Sequence, residues 1–173
     1  DEEAMGRALE DAGVPHHQSP DVDREVAEAI LAGEVVGRFT GAMEYGPRAL
    51  GHRSILYHTK DPAVNDWLNQ RLQRSEFMPF APATLAEEAA ACYEGYSSGV
   101  AHTARFMTIT FPCTPAMRRA SPAVVHLDGT ARPQVVHEDS APGFHRILRL
   151  VYEASGIPSI INTSFNMHGE PIV

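Results

Sequence analysis

The sequence predicts an α/β or α+β protein on a mixed sheet, from apolar residues at helical spacing, short apolar strands between them, and Gly, Pro and Asp-Gly turn signals at the junctions. Residues 1–20, polar and carrying Pro15 and Pro20, read as a linker or the end of a preceding element, with the domain proper at 21–173. From Asp21 the pattern is helical: Val22, Val26 and Ile30 share a face, Asp21 or Asp23 can cap, and Gly33 stops it. A strand over Val35–Phe39, a Gly/Pro loop from Gly41 to Gly51 and a strand over Ser54–His58 follow. Asp61-Pro62 opens a helix with Val64, Trp67, Leu68 and Leu72 on one side. Pro79-Phe80-Ala81-Pro82 breaks it, and Thr84 with Glu87 forms the capping box of a helix running towards Tyr93. Strands are expected at Arg105–Phe111, Val124–Leu127 and Arg132–Val136, the last two joined around Asp128-Gly129. The helix Pro142–Ser155 sets Phe144, Ile147, Leu148, Val151 and Tyr152 on one face before Gly156, and the strand Pro158–Ile161 runs into the polar loop 162–169.

With 173 residues, 43% hydrophobic and 21% charged, the chain suits one globular domain with a real core. No apolar run approaches the roughly 18 residues of a membrane-spanning helix. Two cysteines, Cys92 and Cys113, are too few for a disulfide framework and read as buried thiols of a cytoplasmic protein. None of the nine histidines stands in a zinc-ligand spacing, so no metal-ligating set is expected. A net charge of −8 weighs against a general nucleic-acid binder, whose affinity rests on many basic contacts. The chain starts within a polar segment and stops where a strand begins, which suggests a fragment of a longer protein.

Chemistry is suggested by the arginines, thirteen of the fourteen basic residues. A guanidinium grips phosphate or carboxylate oxygens two at a time. Arg48 and Arg53 flank Gly51 in Glu44-Tyr-Gly-Pro-Arg-Ala-Leu-Gly-His-Arg-Ser-Ile-Leu56, and Arg71 and Arg74 lie one turn apart at a helix end. Gly46-x4-Gly51 imitates the opening of a P-loop, but Pro47 removes a donor and His52-Arg53-Ser54 replaces the Lys-Ser/Thr, so that reading fails. The plainer alternatives are Arg48 paired with Glu44, Arg53 in solvent, and Arg71 with Arg74 complementing the helix dipole. Arg132, beyond the Asp128 turn, is a further candidate, while Asn162, Thr163, Ser164 and Asn166 offer amides and hydroxyls at a strand's carboxyl end, where α/β folds bind ligands.

Four segments, Gly41–Leu56, Met78–Pro82, Val125–Gln134 and Asn162–Val173, resemble in order the C-terminal domain of the O-carbamoyltransferases of nodulation-factor and antibiotic biosynthesis. The resemblance implies an α/β, YrdC/Sua5-like fold, a twisted mixed β-sheet with flanking helices. It further implies that the domain makes carbamoyl-adenylate from ATP and carbamoyl phosphate with Mg2+, and that an N-terminal Kae1-like domain of the same polypeptide passes the carbamoyl group to a hydroxyl acceptor. Arg48 and Arg53 match the family's arginine loop, Arg132 and Asn162 its nucleotide contacts, and Ser164-Phe-Asn166 its Ser-x-Asn element. The Lys-x-Arg element of YrdC-like proteins falls on Leu72-Gln73-Arg74, keeping the arginine but not the lysine, for which Arg71 can substitute. In this reading Arg48, Arg53 and Arg74 are catalytic, drawing the two anions together, and Arg71, Arg132, Asn162, Thr163, Ser164 and Asn166 bind substrate or nucleotide. The alternatives are a threonylcarbamoyl-adenylate synthase relative and a non-catalytic nucleotide- or RNA-binding module.

Overall fold

The computed structural model describes residues 2–72, 80–167 and 169–173. A helix, α1 (Glu2–Asp11), occupies the first stretch, and α2 (Val22–Leu31) follows, with the Asp21 carboxylate accepting from the Arg24 N–H as cap. The five-stranded sheet takes β1 (Val36–Phe39), β2 (Arg53–Tyr57), β3 (Ala81–Leu85), β6 (Gln134–Val136) and β7 (Ser159–Ser164) in the order β1-β2-β7-β3-β6. β3 and β6 run parallel while the other neighbours are antiparallel, which is the mixed sheet expected. A two-stranded pair, β4 (Phe111–Pro112) with β5 (Thr130–Ala131), stands apart.

Successive side chains of a strand point to opposite faces, and here both faces are covered. Leu56, Val136 and Ile160 join Ala27 and Ile30 of α2 and Phe144, Ile147, Leu148 and Val151 of α7 (Pro142–Ser155) in one core. Their neighbours Ile55, Val135 and Ile161 enter the other, with Val64 and Leu68 of α3 (Val64–Arg71), Cys92 of α4 (Ala89–Cys92), Ala104 of α5 (Ser98–Ala104) and Met117 of α6 (Pro115–Ala120). The helix α7 spans the range its sequence signals, because Pro142 supplies a preset φ in its first turn and Gly156, at φ 71°, takes the left-handed cap that side chains disfavour. Both cysteines are free and buried, and burial pushes the Cys92 thiol up to about 12, so it is inert as a nucleophile.

Four expectations are corrected. Residues 81–85 form a buried central strand, and Pro82 is tolerated there for a local reason. Leu85 N–H donates to Pro158, so alternate residues face β7 and the Pro82 nitrogen faces β6, whose pairing begins only at Ala83. No capping box forms, because the Thr84 hydroxyl is buried against Tyr93 Oη (2.7 Å) and Ser159 Oγ (2.8 Å), and Glu87 binds His145 and Arg149 instead. Arg105–Phe111 is largely a turn after α5: Met107 takes φ 54°, and only Phe111 and Pro112 pair, with β5. Val124 belongs to a 3-10 turn over Pro122–Val124, and the Asp128-Gly129 turn is closed by Gly129 N–H to His126 without a flanking strand over 124–127. In both stretches the apolar residues pack as isolated core contacts, which imitates strand alternation.

Gly51 joins the arginine loop to this frame. At φ 114° it has a backbone few other residues adopt, and an added Cβ would lie 2.6 Å from the Phe144 ring. Gly51→Ala should therefore cost roughly 2–5 kcal/mol from backbone strain and overpacking. Thermal unfolding of the variant measures this, and an unchanged midpoint would contradict the packing described.

Candidate anion-binding cleft

The loop between β1 and β2 is held by polar groups that sequence spacing does not reveal. Glu44 Oε1 accepts the backbone N–H groups of Leu50 (2.8 Å), His52 (2.6 Å) and Arg53 (3.2 Å). From the other side Gln134 Nε2 donates to the Leu50 carbonyl (2.7 Å) and Asn162 Nδ2 to the Ala49 carbonyl (3.1 Å). The same Asn162 amide donates to Gln134 Oε1 (2.7 Å), which ties β6 to β7 beneath the loop. Arg38 donates to the Gly51 carbonyl, and Gly51 N–H donates to Ser54 Oγ (3.0 Å). Burial works to raise the Glu44 pKa, but the N–H groups converging on its carboxylate outweigh it and hold the group below its ordinary value.

Arg48 sits on this pinned segment and faces Arg132, which precedes β6. Both line a cleft of about 200 Å3 bounded by the described residues, together with Phe80, Met107, Thr163 and Ser164. Burial, and after it the charge of Arg48, push the Arg132 pKa below its ordinary value. Like charges repel, so holding two guanidiniums together favours an anion between them. Neither has a carboxylate partner among the described residues, whereas Arg105, Arg146 and Arg149 each have one. The suggested pairing of Arg48 with Glu44 does not form, because Glu44 is engaged by the backbone.

The other expected residues divide. Asn162 and Asn166 line the cleft with Thr163 and Ser164; Asn162 is 1% exposed and spends its amide on the loop, and Asn166 accepts from Ser164 Oγ and donates to the Glu170 carbonyl. Arg53 is not in solvent and does not line the cleft. It is 7% exposed, donates to the carbonyls of Thr40, Gly41 and His52, and stacks its guanidinium 3.6 Å from the Phe39 ring centre. Arg71 is exposed over Trp67 and is not among the lining residues. Leu72, at the family's lysine position, is buried in the core. Arg74 lies outside the described residues. Gln134, Phe80 and Met107 are not predicted by the sequence; a glutamine in an otherwise apolar buried strand is a signal for the first.

Among the described residues no group of three or more His, Cys, Asp or Glu could hold a metal, and the cleft lining carries no carboxylate. A protein-held Mg2+ does not fit such a lining, since that ion prefers carboxylate and water oxygens.

The sequence profile described as carbamoyltransferase C-terminus matches residues 27–173. The chain belongs to this family. The uncharacterized protein MJ1058 of Methanocaldococcus jannaschii is 40% identical over 148 residues, 85% of this chain and 24% of that protein. Nodulation protein NolNO of Sinorhizobium fredii is 37% identical over 154 residues, 88% of this chain and 22% of its own length. The chain thus spans about a quarter of these relatives. The crystal structure of T. kodakarensis HypF superposes with a TM-score of 0.60 at 19% identity, covering 92% of this chain and 19% of that one. This likeness concerns the fold alone, and it agrees with the α/β architecture of a mixed sheet with flanking helices that the sequence predicts. Among the described residues no helix is long and apolar enough to cross a membrane.

Removing the Glu44 carboxylate strands three backbone donors, so Glu44→Ala should lose about 2 kcal/mol or more at neutral pH. Because the folded pKa is depressed, this contribution is present above the ordinary carboxylate range and is lost as pH falls through the folded value. Urea unfolding of wild type and Glu44→Ala between pH 7 and about 3 should show the gap narrowing with acid; a gap constant with pH would contradict the role given to the charge.

Proposed function

We propose that this domain forms carbamoyl-adenylate from ATP and carbamoyl phosphate, for transfer of the carbamoyl group to a hydroxyl acceptor by an N-terminal Kae1-like domain of the same polypeptide. The observation that carries this reading is the pairing of Arg48 and Arg132, without carboxylate partners among the described residues, in one cleft also lined by amides and hydroxyls. Membership of the carbamoyltransferase family supplies the acyl group, and the cleft supplies the charge.

The chemistry requires two steps. Water cleaves carbamoyl phosphate to carbamate and phosphate, and a carbamate oxygen then attacks the α-phosphorus of ATP as its bond to pyrophosphate breaks. Two anions must be held in line, so positioning and charge neutralisation are the work required of the protein. Arg48 and Arg132 perform the neutralisation, each with a planar fork of donors, and Thr163 and Ser164 orient the polar ligand by hydrogen bonds. Arg53 supports the loop from behind. ATP enters as substrate; any Mg2+ comes bound to its phosphates, and none of the steps assigned to these residues passes through it.

Each charge-assisted contact is worth about 1.5–3 kcal/mol, so Arg48→Ala or Arg132→Ala should reduce carbamoyl-phosphate-dependent ATP–pyrophosphate exchange roughly ten- to a hundredfold. Exchange at the wild-type rate in either variant would refute the assignment.

A further inference from the structure

Gln134 is a buried amide in a strand whose other two residues are apolar. It is 5% exposed in β6, between the apolar neighbours Pro133 and Val135, and both its polar atoms are used: Nε2 on the Leu50 carbonyl and Oε1 on the Asn162 amide. Asn162 in turn holds the Ala49 carbonyl. Two buried amides therefore fix the two carbonyls that follow Arg48, while Gln134 itself lies two residues after Arg132 on the same segment. The bridge connects the two cationic sides of the cleft through Gln134, which is not itself a lining residue. Without it, the loop would still be tethered by Glu44 through three N–H groups and by Arg38 through the Gly51 carbonyl, but the two carbonyls next to Arg48 would lose their shared support.

We propose that Gln134 is a positioning residue that sets the separation of Arg48 and Arg132, so that anion affinity depends on it through Arg48. The inference deepens the reading of the cleft given above and rests on that reading for the identity of the anion. A merely structural glutamine would lower stability and leave the anion affinity of the folded protein unchanged, or would weaken it regardless of which arginine is present.

The test is a double-mutant cycle read by calorimetric titration with pyrophosphate. Gln134→Met, close in shape but without either hydrogen-bonding group, should weaken binding roughly five- to twentyfold in the wild-type background and less than about twofold when Arg48→Ala is already present. Equal losses in both backgrounds, or no loss in wild type, would overturn the proposal. Gln134→Leu carries the same comparison if the methionine variant does not fold, and failure of both to fold also counts against it, because it assigns Gln134 to the core. Pyrophosphate–ATP exchange run in parallel separates the two ideas. Coupling without exchange keeps the positioning role and removes the adenylation reading, and exchange without coupling does the reverse.

Discussion

One carboxylate oxygen organises the functional end of this molecule. Glu44 Oε1 gathers three backbone N–H groups that no secondary structure would otherwise satisfy, and so folds residues 44–53 back over the sheet. A buried backbone donor left unpaired costs free energy comparable to a lost hydrogen bond, so the loop has few alternatives to this shape. Gln134 and Asn162 fix its carbonyls, Arg38 and Arg53 reach others, and Phe144 closes the space beside Gly51. Arg48 is left projecting from a segment whose neighbours are all committed.

The charge distribution follows the same logic. An acidic chain keeps two guanidiniums close together at a partly buried position, each without a carboxylate among the described residues, while its other surface arginines include several paired ones. Such a cleft is not demanded by fold stability, because bringing like charges together and desolvating them is unfavourable. It makes sense as preorganisation for an anionic ligand, which the protein then need not reorganise to receive.

The segments most legible in the sequence are those whose structure is decided locally. In α7, a proline in the first turn, an apolar face and a following glycine all agree, and in α2 the Asp21 cap does the same. Legibility fails where a distant partner decides. Pro82 sits in a central strand because β6 begins one residue later, and the Thr84 hydroxyl is used by Tyr93 and Ser159 across the core. The site shows the same division. Arg48, Arg132 and the 162–166 segment were identifiable by residue type and position, whereas Arg53 looked equivalent to Arg48 and is instead wrapped by three carbonyls and Phe39. Two arginines five apart carry no sequence signal of which one faces inward; the carbonyls of Thr40 and Gly41 make that choice.

The most direct measurement is a crystal structure of the protein soaked with ATP and carbamoyl phosphate. The account predicts phosphate oxygens at about 2.7–2.9 Å from the guanidiniums of both Arg48 and Arg132, with Arg53 still bound to its carbonyls. Phosphates held on another face, with Arg48 and Arg132 untouched, would contradict it.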